Sequence, residues 1–217
     1  MIDGSDSWVR LPMTAPGLRV GLLGGSFNPP HDGHRHISLE ALTRLNLDRV
    51  WWIVSPGNPL KDHADLDALV TRLHQAAAVA HHPRIDVTGF EARLGTSYTA
   101  ETLAYLTKRL PGVQFVWLMG ADNLASLHRW RQWRRILATM PVAVLDRPHW
   151  RYRALASRAA ISHADSQLPE TESRRLAAAT APAWSFLSIP LSNLSSTALR
   201  ARSRARPLPK RAKPPAP

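Results

Sequence analysis

Val20 to His36 reads VGLLGGSFNPPHDGHRH, and this stretch restricts the fold more than any other. Val20, Gly21, Leu22 and Leu23 make a short apolar run closed by a glycine pair, the pattern of a buried strand. Gly24-Gly25 lets the backbone turn sharply and lets a ligand come close to it. Pro29 and Pro30 remove two donors, so the strand cannot continue through them. A helix is expected to begin within His31-Asp32-Gly33-His34 and to run to about Leu45, with Ile37, Leu39, Ala41 and Leu42 among its apolar positions. Strand, glycine turn and helix start together form an anion site, where unpaired N–H groups point at phosphate. His31 and His34 stand three apart, so on a helical turn they face the same way. A plain connection with structural histidines would look similar. A metal pair is a weaker reading, since the chain has no Cys and no third ligand at an obvious spacing. Donation to phosphate oxygens suits the two histidines better.

Further apolar runs alternate with helical patterns. Strands are expected at Arg49 to Val54, Arg84 to Val87, Val113 to Met119, Val142 to Leu145 and Trp184 to Ile189. RVWWIV is apolar throughout, as a parallel strand covered on both faces must be. Leu66, Leu69, Val70, Leu73 and Ala77 predict a helix over Leu66 to Ala80, and LASLHRWRQWRRIL predicts another. This alternation argues an α/β fold, an open doubly wound parallel sheet with right-handed crossovers. Residues 1–17 are read as a flexible leader, 18–203 as the single domain and 204–217 as a disordered tail. Residues 151–183 are Ala- and Arg-rich, partly helical, and carry no assignable chemistry.

The 217 residues carry a formal charge of +12, which raises nucleic acid as a partner. Half of that excess lies in the last 17 residues, as Arg202, Arg204, Arg206, Lys210, Arg211 and Lys213 among five prolines. What remains on the body suits phosphorylated small substrates, so nucleic acid is not the expected partner. No run is long enough to span a bilayer, and Met1 to Gly17 lacks the pattern of a secretory signal. With no Cys, the chain fits a reducing cytoplasm.

Gly24-Gly25-Ser26-Phe27-Asn28-Pro29-Pro30-His31-Asp32-Gly33-His34 resembles the GG(S/T)F(D/N)PxHxGH motif of the HxGH nucleotidyltransferase superfamily. Leu194-Ser195-Ser196-Thr197-Ala198-Leu199-Arg200 resembles that superfamily's ISSTxxR motif. Between them the chain is similar to the bacterial nicotinate-nucleotide adenylyltransferases, over roughly Leu18 to Arg202. The resemblance implies a Rossmann-like nucleotidyltransferase fold. It implies ATP binding by Gly24, Gly25, Ser26, Phe27, His31, His34, Ser195, Ser196, Thr197 and Arg200. Lys61 follows the Pro-rich loop where the family places a phosphate-holding lysine, although Leu60 stands where the family usually has His.

Ser97-Tyr98-Thr99 resembles the segment that lies beside the acceptor's pyridine carboxylate, and Thr99 could equally be a helix N-cap. Gly120-Ala121-Asp122 with Trp130 eight residues after the Asp resembles the acceptor pocket, where the Trp stacks on the nicotinate ring. By composition alone Trp130 and Trp133 would be packing residues. Arg147-Pro148 resembles the family's Arg-Pro, and Arg147 would reach a phosphate. His31, His34 and Lys61 are thus the candidate catalytic residues; Lys61, Thr99, Asp122, Trp130 and Arg147 are the candidate acceptor-binding residues.

The reaction implied joins ATP to nicotinate mononucleotide, with Mg²⁺ brought by ATP and no metal held by the protein alone. The nucleophile is a phosphate monoester whose second pKa is about 6, so it needs no general base near neutrality. A relative acting on another phosphate acceptor, nicotinamide mononucleotide or pantetheine phosphate, would use the same two motifs. The Gly-Ala-Asp…Trp element with Ser-Tyr-Thr argues against the pantetheine type.

Overall fold

The computed structural model describes residues 5–57 and 67–191. Six strands, β1 (Arg19–Gly25), β2 (Arg49–Val54), β3 (Ile85–Thr88), β4 (Gln114–Gly120), β5 (Val142–Leu145) and β6 (Trp184–Leu187), form one sheet in the order β3-β2-β1-β4-β5-β6. Every neighbouring pair is parallel. A parallel sheet needs crossovers, and helices supply them. In chain order the α-helices are α1 (Ser5–Trp8), which precedes β1, then α2 (Asp32–Arg44), α3 (Leu69–Ala80), α4 (Glu91–Leu94), α5 (Thr99–Arg109), α6 (Ala121–Ser126), α7 (Trp133–Thr139), α8 (Arg151–Leu155) and α9 (Arg158–Ser162). Strand order reverses at β1 and β4, which is where open α/β sheets bind ligands, beyond the strands' C-terminal ends.

Alternate side chains of each strand go to opposite cores. Leu22, Trp51 and Trp117 meet Leu103, Leu106 and Ile136 from α5 and α7 on one face. Leu23, Trp52 and Leu118 meet Leu42, Leu73 and Ala76 from α2 and α3 on the other. Trp51 and Trp52 are both wholly buried, one in each core. The continuous apolar run of β2 therefore has the cause expected of it.

Local sequence and structure part company in several places. The Leu127 to Trp133 stretch is not one helix: a 3₁₀ turn covers Leu127–Arg129, Trp130 is extended (φ −78°, ψ 143°) and Gln132 lies at φ 54°. That interruption sends Trp133 into the core and leaves Trp130 half-buried at its margin, where it lines the cleft. α3 begins at Leu69, and Leu66 lies outside the described residues. Its inner face runs through Arg72, Leu73, Ala76 and Ala80, leaving Val70 exposed. Residues 151–183 contain α8, α9 and 3₁₀ turns at Ala164–Ser166 and Glu170–Ala178.

The segment ahead of β1, read as a loose leader, is held along the β3 edge in its described part. Thr88 Oγ1 donates to the carbonyls of Trp8 and Arg10, the Gly89 N–H donates to Trp8, and Trp8 meets the His74 ring edge-on at 5.2 Å. The tail, 204–217, lies outside the described residues.

Gly24 and Gly25 end β1, paired with Ile53 and Val54, instead of making the turn themselves. What Gly24 provides is room: a Cβ there would lie 2.4 Å from the Trp117 indole, which is buried and hemmed in by the core. At Gly25 the nearest atom would be the Phe27 ring at 3.4 Å, an ordinary contact. Gly24→Ala is expected to cost about 1–3 kcal/mol through overpacking, and Gly25→Ala to leave stability nearly unchanged. Urea unfolding midpoints of the two variants test this; equal midpoints would refute the role given to Trp117.

Candidate active site

Past Gly25 the chain turns at Phe27, whose φ of 47° is left-handed and unusual for a residue with a side chain. Packing holds it there. The Phe27 ring stacks on Trp52 at 5.0 Å and leans on His34 at 4.7 Å. His31 is the extended N-cap of α2, and its N–H donates to His34 Nδ1 at 3.2 Å. The two imidazoles lie 3.9 Å apart, so the local spacing of the sequence does bring them together. A neutral His34 accepting at Nδ1 carries its proton on Nε2 and is a donor there.

Burial lowers His34 to a pKa of about 3, helped by its neighbour His31; burial and Arg147 lower His31 to about 4. Before substrate arrives both rings are therefore neutral donors at physiological pH. His31 Nδ1 is buried with no hydrogen-bond partner among the described residues.

Arg147, at the exit of β5, pairs with Asp122, at the exit of β4, with Nη1 to Oδ2 at 3.1 Å. The pair crosses over Gly120, where a Cβ would lie 2.4 Å from Asp122 Oδ1 and 2.7 Å from Arg147 Cδ. The sequence reading put both with the acceptor. Arg147 is near enough to act on both histidine rings, and neither it nor Asp122 lines the adjoining cleft.

That cleft, about 660 Å³ with its mouth, opens beside Gly24, Gly25 and Ser26 and is walled by Thr99, Trp117 and Trp130. Trp130 reaches it because the chain is extended there. Thr99 is the first residue of α5, and the N-cap is Tyr98, so Thr99 is not the cap. Two lining residues carried no signal in the reading above. Arg131 lays its guanidinium over the Tyr98 ring at 4.5 Å, setting a cation at the mouth. Glu91 opens α4 and is almost wholly buried; Thr102 Oγ1 donates to its Oε1 at 2.6 Å. Each depends on a neighbour far away in sequence, or on the broken helix, so spacing could not reveal it. Lys61, Ser195, Ser196, Thr197 and Arg200 lie outside the described residues.

Burial pushes the Glu91 carboxyl up from 4.5 to about 7, against the hydroxyls of Thr102 and Ser55. With the folded value raised, the unfolded chain releases this proton first as pH climbs. Glu91's share of stability is complete below about pH 4.5, declines between there and about 7, and is gone above. The interval corresponds to roughly 3 kcal/mol. Glu91→Gln, which keeps an acceptor for Thr102, is expected to raise the melting temperature at pH 8 and not at pH 4.5. The same change at both pH values would contradict a buried, titrating Glu91.

Residues 22–202 match the family model described as cytidylyltransferase-like. A protein of Cereibacter sphaeroides named probable nicotinate-nucleotide adenylyltransferase is 57% identical over 187 residues, 86% of this chain and 98% of its own length. One of Methylorubrum extorquens with the same name is 56% identical over 185 residues, 85% of this chain and 100% of its own. Among solved structures, the Plasmodium falciparum nicotinic acid mononucleotide adenylyltransferase complexed with NaAD has a TM-score of 0.63 at 14% identity, covering 84% of this chain and 82% of that one. That likeness is one of fold, the Rossmann-like α/β sheet. Together with the two motifs and the paired histidines, these matches show that the chain belongs to the cytidylyltransferase-like family and, within it, to the nicotinate-nucleotide adenylyltransferases.

Proposed function

We propose that this chain transfers an adenylyl group from ATP to nicotinate mononucleotide, giving nicotinate adenine dinucleotide and pyrophosphate, a step of NAD biosynthesis. The observation that carries the reading is the two-part site at the reversal of strand order. A neutral histidine pair at the start of α2 adjoins a cleft lined by Trp130 and the start of α5. The names of the relatives support the same acceptor. A cysteine-free chain suits the cytoplasm as the place of reaction.

The acceptor's phosphate oxygen attacks the α-phosphorus of ATP, a new P–O bond forms, and the bond to the β-phosphate breaks in line. Charge builds on the transferring group and on pyrophosphate, so fixed donors matter more than a base. His34 donates from Nε2 to an α-phosphate oxygen, with its tautomer held by the His31 N–H. Lys61 takes the acceptor's phosphate; Ser195, Ser196, Thr197 and Arg200 take the β- and γ-phosphates, as their motif implies. Mg²⁺ carried by ATP shares the phosphate charge. Asp122 Oδ1, buried with no hydrogen-bond partner among the described residues, would accept a hydrogen bond from the hydration shell of the metal that ATP brings.

A pyrophosphate-release assay with ATP, Mg²⁺ and a panel of phosphate acceptors tests the reading, and silence with nicotinate mononucleotide would overturn it. His34→Ala is expected to lower kcat roughly 10²-fold or more while the circular dichroism spectrum is unchanged; near wild-type turnover would exclude His34 from the chemistry. Acid is expected over amide at the pyridine. The cleft offers the start of α5 and the Arg131 guanidinium, while the Asp122 carboxylate is turned away to Arg147. Donors left facing an amide NH₂ cost about 1–3 kcal/mol each, so kcat/KM should favour nicotinate mononucleotide by tens-fold. Equal constants for the two mononucleotides would sink this preference and leave adenylyl transfer standing.

A further inference from the structure

Arg72 has no part in the reaction outlined above, yet it is the largest wholly buried cationic side chain among the described residues. It sits in the first turn of α3, on the face that packs toward the sheet. Its guanidinium donates to four main-chain carbonyls. Nε donates to Asp67 at 2.8 Å, Nη1 to Ser26 and to Ser55, both at 2.7 Å, and Nη2 to Pro56 at 3.3 Å. Burial lowers its pKa, eased by the charge of Asp67. Burying a guanidinium against neutral carbonyls is costly, and an apolar side chain would fill α3's inner face more cheaply. What it would lack is the fork.

Ser26 follows β1 and Ser55 follows β2, so one planar group clamps the exits of two adjacent strands. A third tie, the Ser55 N–H to the Gly25 carbonyl at 2.9 Å, joins them directly. The direction of the Ser26 carbonyl has a consequence. In a trans peptide the C=O and the next N–H point opposite ways, so drawing the Ser26 oxygen toward Arg72 turns the Phe27 N–H away from it. Phe27 is the left-handed residue at φ 47° that leads into the histidine pair. A strained conformation of this kind persists only where its surroundings over-determine it. The aromatic stack on the Phe27 ring and the fork on the Ser26 carbonyl restrain it from two sides.

We propose that Arg72 is a positioning residue for ATP: its guanidinium sets the β1 and β2 exits in register so that the Phe27 N–H faces the phosphates. A buried cation beneath that edge also adds a positive potential that salt screens little. This inference rests on the adenylyl-transfer reading, but ATP binding can be measured without an acceptor.

The test uses the full-length protein with Arg72→Lys and Arg72→Ala, assayed well below each variant's melting temperature. Arg72→Lys keeps the charge and loses the fork; it is expected to lower kcat by roughly 10²-fold, as displaced phosphate donors do. The KM for nicotinate mononucleotide should stay near its wild-type value, because the contacts made to that substrate in the ground state are untouched. Arg72→Ala should in addition weaken ATP binding by calorimetry, and millimolar guanidinium should restore part of its kcat. Should Arg72→Ala not fold, the kcat-against-KM split of Arg72→Lys decides. Folded variants with wild-type kcat and ATP affinity, whatever their melting temperature, would reduce Arg72 to a structural clamp and overturn the proposal. So would an equal loss of affinity for both substrates. A wild-type protein that binds ATP but transfers nothing to nicotinate mononucleotide would instead indict the acceptor reading, leaving the calorimetric comparison to judge Arg72.

Discussion

Crossovers from β1 and from β4 leave the sheet toward opposite faces, and everything chemical in this protein occupies the gap they open. α2 packs with α3 on one side, α6 with α8 on the other, so the two strand exits cannot be covered by the same helix. The gap must be lined by whatever leaves the strands: Ser26 and Phe27 from β1, Ser55 from β2, Asp122 from β4, Arg147 from β5. Pairing between β1 and β4 also brings Trp117 against Gly24, so the core forms one wall of the cleft. A packed indole is a rigid wall, and rigidity is what a site working by position requires.

The electrostatic design follows from the burial of the groups around the gap. Two anions must meet here, yet the imidazoles nearest the gap are held neutral by burial and by Arg147. Neutral donors fixed in a low-dielectric place lose little by solvent reorganisation as charge develops, and interactions there are stronger than in water. Formal charge is supplied from behind, by Arg147 tied to Asp122 and by Arg72 under the strand exits. The same burial penalises the Glu91 carboxylate in the cleft, which is why it holds its proton to about pH 7.

The parts of this arrangement visible in the sequence are those that depend on neighbours in the chain. The buried strands, the glycine pair and the histidines at i and i+3 are local patterns, and each lies where the spacing puts it. Arg72 was hidden because apolar spacing rewards Leu69, Val70 and Leu73, while a guanidinium satisfied by carbonyls from Ser26 and Ser55 needs contacts 46 and 17 residues away. Asp122 was legible as a strand-end acid but not as the partner of Arg147, 25 residues on. Glu91 looked like any first-turn carboxylate until Thr102 and the cleft closed around it.

Trp130 shows how function and folding divide one short segment between them. Trp130 and Trp133 are three apart, and an unbroken helix would turn both to the same side. Both would then be core residues, as composition suggests. The chain avoids this by extending at Trp130 and placing Gln132 at φ 54°, a conformation that a residue with a side chain adopts at some cost. Trp133 can then close the core with Ile136 and Leu137 while Trp130 faces the cleft beside Arg131. Phe27 makes the same bargain at the other side of the gap, left-handed between the glycine pair and the histidines. Phe27 is steadied by its ring packing on Trp52 and His34, and Gln132 by its carbonyl accepting from the Arg135 and Ile136 N–H groups at the start of α7. Two of the left-handed residues, Phe27 and Gln132, thus stand at the two sides of the site.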